Sequence, residues 1–93
     1  SFLVLQPVVA VVTNIDADVF AKLGYKLGDK VSFKLGEREL VAPFVKTFSA
    51  VSIGEPLFYI DSRGRLGFSV NQAFAAKKYD IKPPVELFIP RKK

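Results

Sequence analysis

Apolar and polar positions alternate with a period of two through most of the chain, broken by turn residues about every eight to twelve positions, the spacing of an all-β barrel or sandwich. Residues 3–5 and 8–12 read as strands, with Pro7 between them at an edge or bend. The period then lengthens. Asp16 is placed to cap a short helix, Asp18 sits in its first turn, and Val19, Phe20 and Leu23 share one face. Gly24 ends that helix in the left-handed conformation. Gly28-Asp29 turns into a strand over 31–35, and Gly36-Glu37 makes a two-residue hairpin loop to 38–42. Residues 44–45 and 47–48 look extended and 49–56 form a loop. Strands at 57–60 and 66–70 flank the polar turn 61–65. Asn71 is placed to cap a second helix over 72–79, and Pro83-Pro84 precedes a last strand at 85–89. The chain is therefore expected to be mostly β, a small β-barrel with two short helices, and residues 1–93 to form a single domain.

The pattern repeats. A shift of 54 positions lays residues 18–35 over 72–89, matching Phe20 with Phe74, Ala21 with Ala75, Tyr25 with Tyr79, Leu27 with Ile81 and Val31 with Val85. A packing unit used twice accounts for this, with each helix burying its Phe at a barrel end for about 1.5–3 kcal/mol.

Composition narrows the functional classes. With no Cys there is no disulfide, thiol nucleophile or thiolate metal site, and with no His the usual general base and commonest metal ligand are missing. No metal-ligand cluster, phosphate-cradling glycine loop or nucleophile–base pair is visible, so catalytic residues, metal and cofactor are all expected to be none. No apolar run reaches the ~18 residues of a membrane span. The apolar start lacks a basic leader and alternates like strands, so it reads as mature structure, and a natural chain would be expected in the cytoplasm. The net charge of +5 invites a nucleic-acid reading, but Arg91, Lys92 and Lys93 supply three of those charges. Without them eleven basic face nine acidic residues, alternating in sign as in Lys34, Glu37, Arg38 and Glu39. A solvated surface with a basic tail explains that balance.

Four positions carry candidate chemistry. Ser62-Arg63-Gly64 offers a guanidinium beside a hydroxyl at a turn, which can hold a carboxylate or phosphate; a plain β-turn with Gly64 at positive φ explains it too. Phe48 reads either as an exposed stacking ring or as core. Asn71 reads either as a ligand-facing amide or as a helix cap. Asp61 and Glu55 have no partner at fixed spacing and read as surface carboxylates.

Pro43-Phe44-Val45-Lys46-Thr47-Phe48, Ile60-Asp61-Ser62-Arg63-Gly64-Arg65-Leu66, Val70-Asn71-Gln72 and Ala75-Ala76 resemble the C-terminal domain of S-adenosylmethionine hydroxide adenosyltransferases and fluorinases, over about residues 7–89. The resemblance implies a small β-barrel that packs against the catalytic domain of a neighbouring subunit in a trimer. It further implies that Phe48 lies against an adenine ring, that Ser62 and Arg63 meet the methionine end of the ligand, and that Asn71 with the next residue reads the adenine edge.

The departures from that family have a direction. Where the family usually carries an Asp and then Phe-Gly-Asn before Thr13-Asn14-Ile15, this chain has Leu5, Gln6, Pro7, Val8, Val9 and Ala10. After Asn71-Gln72, where small or polar residues are usual, stand Ala73 and Phe74. The family's catalytic domain is not in this sequence. The leading expectation is thus a non-catalytic protein-binding domain, engineered on the adenosyltransferase scaffold. Its interface would be an apolar patch of Leu5, Gln6, Val8, Val9, Ala10, Ala73 and Phe74. The partner would be another protein of unknown identity or a second copy of the chain. The alternative is an excised adenosine- or S-adenosylmethionine-binding half of the enzyme, working through Phe48, Ser62, Arg63 and Asn71. A third reading, a single-strand nucleic-acid-binding barrel, is disfavoured because the basic excess is mostly tail.

Overall fold

The computed structural model describes residues 2–4, 10–72, 75–80 and 86–93. Among these residues seven strands and two short helices follow in the order β1 (Phe2–Val4), β2 (Ala10–Asp16), α1 (Ala17–Ala21), β3 (Lys30–Leu35), β4 (Arg38–Pro43), β5 (Pro56–Ile60), β6 (Arg65–Val70), α2 (Ala75–Lys78) and β7 (Leu87–Phe88), with a 3-10 turn at Phe48–Ala50. The mostly-β expectation holds. A closed barrel is not found among the described residues, where the strands divide into a four-stranded sheet, β1-β2-β6-β5, and a three-stranded sheet, β4-β3-β7. The sheets are joined at a corner, where Phe44 forms a parallel bridge to Phe58 and the Val45 N–H donates to the Phe58 carbonyl at 2.9 Å.

The alternation read from the sequence produces the core directly. In β3, Val31, Phe33 and Leu35 point inward while Lys30, Ser32 and Lys34 face solvent. Phe33 inserts between two rings of the facing sheet, edge-on to Phe58 at 4.8 Å and to Phe68 at 5.3 Å. Leu66, Phe68 and Val70 supply the inward positions of β6 and belong to the same cluster. Such edge-to-face pairs add about 0.5–1.5 kcal/mol each beyond the area they bury.

The 54-residue echo extends further in the fold than in the sequence. The shift lays β1 on the start of β5, most of β2 on β6 and the middle of β3 on β7. Like strands then pair with like: β2 runs antiparallel to β6, and β3 to β7 with Lys34 opposite Phe88, its own counterpart under the shift. The order β1-β2-β6-β5 reads the same from either edge. This is the arrangement of an approximate two-fold axis relating two hairpin–helix–strand units, with β4 added to the first.

Three expectations change. Val19, expected on the buried face of α1, is 51% exposed, because a five-residue helix presents only Phe20 to the core. The second helix does not run from residue 72: Gln72 has φ +55, a left-handed conformation that cannot continue a right-handed helix, and the described helix is Ala75–Lys78. The basic tail is not simply solvated. The Tyr25 hydroxyl donates to the Pro90 carbonyl at 2.7 Å. The Lys92 N–H donates to Leu23 O at 2.8 Å and its ammonium pairs with Asp29 at 2.6 Å.

Candidate functional site

The β5–β6 hairpin carries the candidate residues. Its turn is built by Asp61, whose Oδ1 accepts the N–H groups of both Arg63 and Arg65 at 2.9 Å. The Gly64 N–H closes onto the Asp61 carbonyl at 3.0 Å with φ +79, a conformation that favours glycine. The turn is also docked on the first helix. The Ala17 N–H, otherwise an orphan at the start of α1, donates to Gly64 O at 2.8 Å, and Arg65 lies 3.9 Å from Asp16. Asp16 has the backbone of a helix cap but makes no side-chain cap bond. Ser62 and Arg63 are thus exposed side chains on a loop with a well-fixed backbone.

Phe48 is neither core nor isolated. It is 43% exposed and lies edge-to-face on Tyr59, with ring centroids 5.5 Å apart. Tyr59 in turn lies over Gly67, directly opposite it in the ladder, where a Cβ would come within 2.7 Å of the Tyr59 Cζ. The missing side chain lets the phenol lie flat across β6. Burial, and secondarily the Asp61 carboxylate, push the Tyr59 phenol above its usual range, so it stays protonated at neutral pH.

Asn71 stands past the other end of β6, across the six residues of that strand from the turn, roughly 20 Å away at the usual strand rise. Among the described residues its side chain bonds the 48–55 loop. Nδ2 donates to the Val51 carbonyl at 2.9 Å, its N–H donates to Glu55 O at 3.0 Å, and its carbonyl accepts the Gly54 N–H at 2.8 Å. The structure therefore groups Phe48 with the hairpin through Tyr59, places Ser62 and Arg63 together at one tip, and sets Asn71 at the opposite end against the 48–55 loop. Tyr59 and Gly67 are members that sequence reasoning missed. The signal was a glycine inside an otherwise unbroken strand, which marks a close approach by another group.

Of the expected apolar interface, Leu5, Gln6, Val8, Val9, Ala73 and Phe74 lie outside the described residues. Ala10 begins β2 opposite Ser69, at the Asn71 end of the sheet. Among the described residues no group of three or more carboxylates is placed to hold a metal ion, and no helix is long and apolar enough to cross a membrane.

Comparison with known proteins bears on this arrangement. The sequence profile of the SAM hydroxide adenosyltransferase C-terminal domain matches residues 10–87, taking in the Phe48 loop, the Ser62–Arg63 turn and Asn71. The chain belongs to that family. A solved structure described as an uncharacterized conserved protein from Thermotoga maritima is 34% identical and superposes with a TM-score of 0.86 over 94% of this chain. The present chain spans 33% of that protein's length.

Proposed function

We propose that this chain is the nucleoside-binding domain of an S-adenosylmethionine-dependent adenosyltransferase-type protein, binding adenosine or S-adenosylmethionine without performing chemistry by itself. The observation that carries the reading is the Phe48 ring, held exposed on Tyr59, which lies two residues before the turn that offers Ser62 and Arg63. A purine can stack on Phe48, and base–aromatic stacking contributes about 1–3 kcal/mol. The Arg63 guanidinium suits the carboxylate of the amino-acid end of such a ligand. Membership of the adenosyltransferase C-terminal family supports the same assignment. In this reading a catalytic domain faces the site and supplies the reacting groups, so the 93-residue chain alone binds weakly.

The test is an amide NMR titration with adenosine and with S-adenosylmethionine. Saturable shifts at Phe48, Tyr59, Ser62 and Arg63, abolished by Phe48→Ala, are expected. A spectrum unmoved by millimolar adenosine and S-adenosylmethionine overturns the reading. The engineered protein-binding reading rests on an apolar patch that lies almost wholly outside the described residues. It predicts concentration-dependent shifts near Ala10 in the same samples without ligand, and their absence removes self-association from consideration.

A further inference from the structure

We infer that Asn71 is a positioning residue for the aromatic platform rather than a group that reads the nucleoside itself. The inference rests on the binding role proposed for Phe48. The connection is a short chain of hydrogen bonds. The Val51 N–H donates to the Phe48 carbonyl at 3.2 Å and closes the 3-10 turn that carries the ring. The carbonyl of the same Val51 accepts the Asn71 side-chain N–H at 2.9 Å. One residue thus connects the asparagine amide to the backbone of the stacking residue.

The rest of the loop is tied to the same place. The Asn71 N–H and carbonyl bracket Glu55 and Gly54, and the Lys78 ammonium donates to the Gly54 carbonyl. These contacts hold both the middle and the end of the 48–55 segment to the end of β6. Strand β5 starts immediately afterwards, at Pro56. Phe48 has its side chain exposed and a single ring contact, to Tyr59, among the described aromatic pairs. The register of that ring on Tyr59 therefore depends on a loop whose fixed point is Asn71. Asparagine suits this position because its amide projects a donor toward Val51 while its own backbone continues the ladder.

The substitution that isolates this role is Asn71→Asp, which keeps the shape and removes the donor. In the ligand-free chain it is expected to move the amide resonances of residues 48–55, to weaken the Phe48–Tyr59 ring NOE, and to lower adenosine affinity by about tenfold, the worth of one hydrogen bond at the upper end of its range. Asn71→His, which keeps an N–H donor at similar reach, is expected to restore most of the affinity and the ring NOE. A merely structural asparagine would show a lowered melting temperature in both variants without that split. An unchanged loop and ring NOE in ligand-free Asn71→Asp overturns the inference even if affinity falls, because the amide would then be touching the ligand directly. If the unsubstituted chain binds no adenosine, the proposed function falls, while the ligand-free spectra still decide whether Asn71 sets the loop.

Discussion

The two units related by the 54-residue shift have nearly the same framework and opposite uses. In the first, the position after the helix holds Tyr25, stacked on Phe20 with centroids 5.6 Å apart and bonded through its hydroxyl to Pro90. That unit secures the chain's own C-terminal segment. In the second, the matching Tyr79 is half-buried against Phe68 at 5.7 Å, and the hairpin ahead of it carries the exposed turn and the aromatic platform. Thr13 and Gly67 occupy equivalent strand positions. Thr13 is buried and its hydroxyl accepts the Ile15 N–H at 3.0 Å, within an interruption of the β2 ladder between Val12 and Asp16. Gly67 instead leaves space for the Tyr59 ring. A repeated scaffold becomes specialised where one copy fills a position and the other vacates it.

The largest expected effect tests whether the units are equal as supports. Phe20 is 1% exposed and packs on both Tyr25 and Phe44. Phe20→Ala is therefore expected to lose about 3–5 kcal/mol of stability by urea titration. Phe74→Ala should match it if the echo extends to packing; a loss below about 1 kcal/mol would break the equivalence there.

Gly67→Val separates the strand positions. The atoms its Cβ would meet are the far end of a phenol that can swing outward, so a loss of only about 1 kcal/mol is expected, the lower end of overpacking. The ring NOE between Phe48 and Tyr59 should nevertheless disappear. Thr13→Gly should leave that NOE unchanged.

Tyr25→Phe removes the bond to Pro90 and should cost about 0.5–1.5 kcal/mol, with faster amide exchange at Lys92. Tyr79→Phe should cost less, since Tyr79 is only half-buried and water can reach it.

The smallest effect is electrostatic. The Lys92 ammonium, and after it the Lys26 N–H, hold the Asp29 carboxyl below its usual range. A depressed carboxyl stabilises the fold above its unfolded value near 3.8, and this contribution fades as pH falls through the lower folded value. Melting temperatures between about pH 2 and 5 should therefore drop slightly less steeply for Lys92→Ala than for the unsubstituted chain. Salt should shrink the difference, because the pair is exposed.

Local physics made much of this legible beforehand. The strict alternation of β3, the Gly36-Glu37 loop, and the left-handed glycines at 24 and 64 follow from side-chain period and backbone sterics. What sequence could not supply was register between distant strands. Whether the strands close into a barrel or split into two sheets depends on pairings many residues apart. So does the identity of the ring that fills the space at Gly67. The left-handed backbone at Gln72 was hidden because the adjacent Asn71 fits a helix cap as well as it fits a loop clasp. The docking of Lys92 was hidden because Arg91-Lys92-Lys93 has the composition of a solvated tail.

Pairing of like strands also interlocks the chain. Each sheet draws strands from both units, β1 and β2 with β5 and β6 in one, β3 and β4 with β7 in the other. Neither half owns a complete sheet. A cut in the 51–54 loop would yield two peptides, each with a hairpin and unsatisfied edges whose complement lies in the other. Such peptides are expected to remain largely unstructured apart and to recover the fold on mixing. Cooperativity in this domain is thus a property of association between its halves.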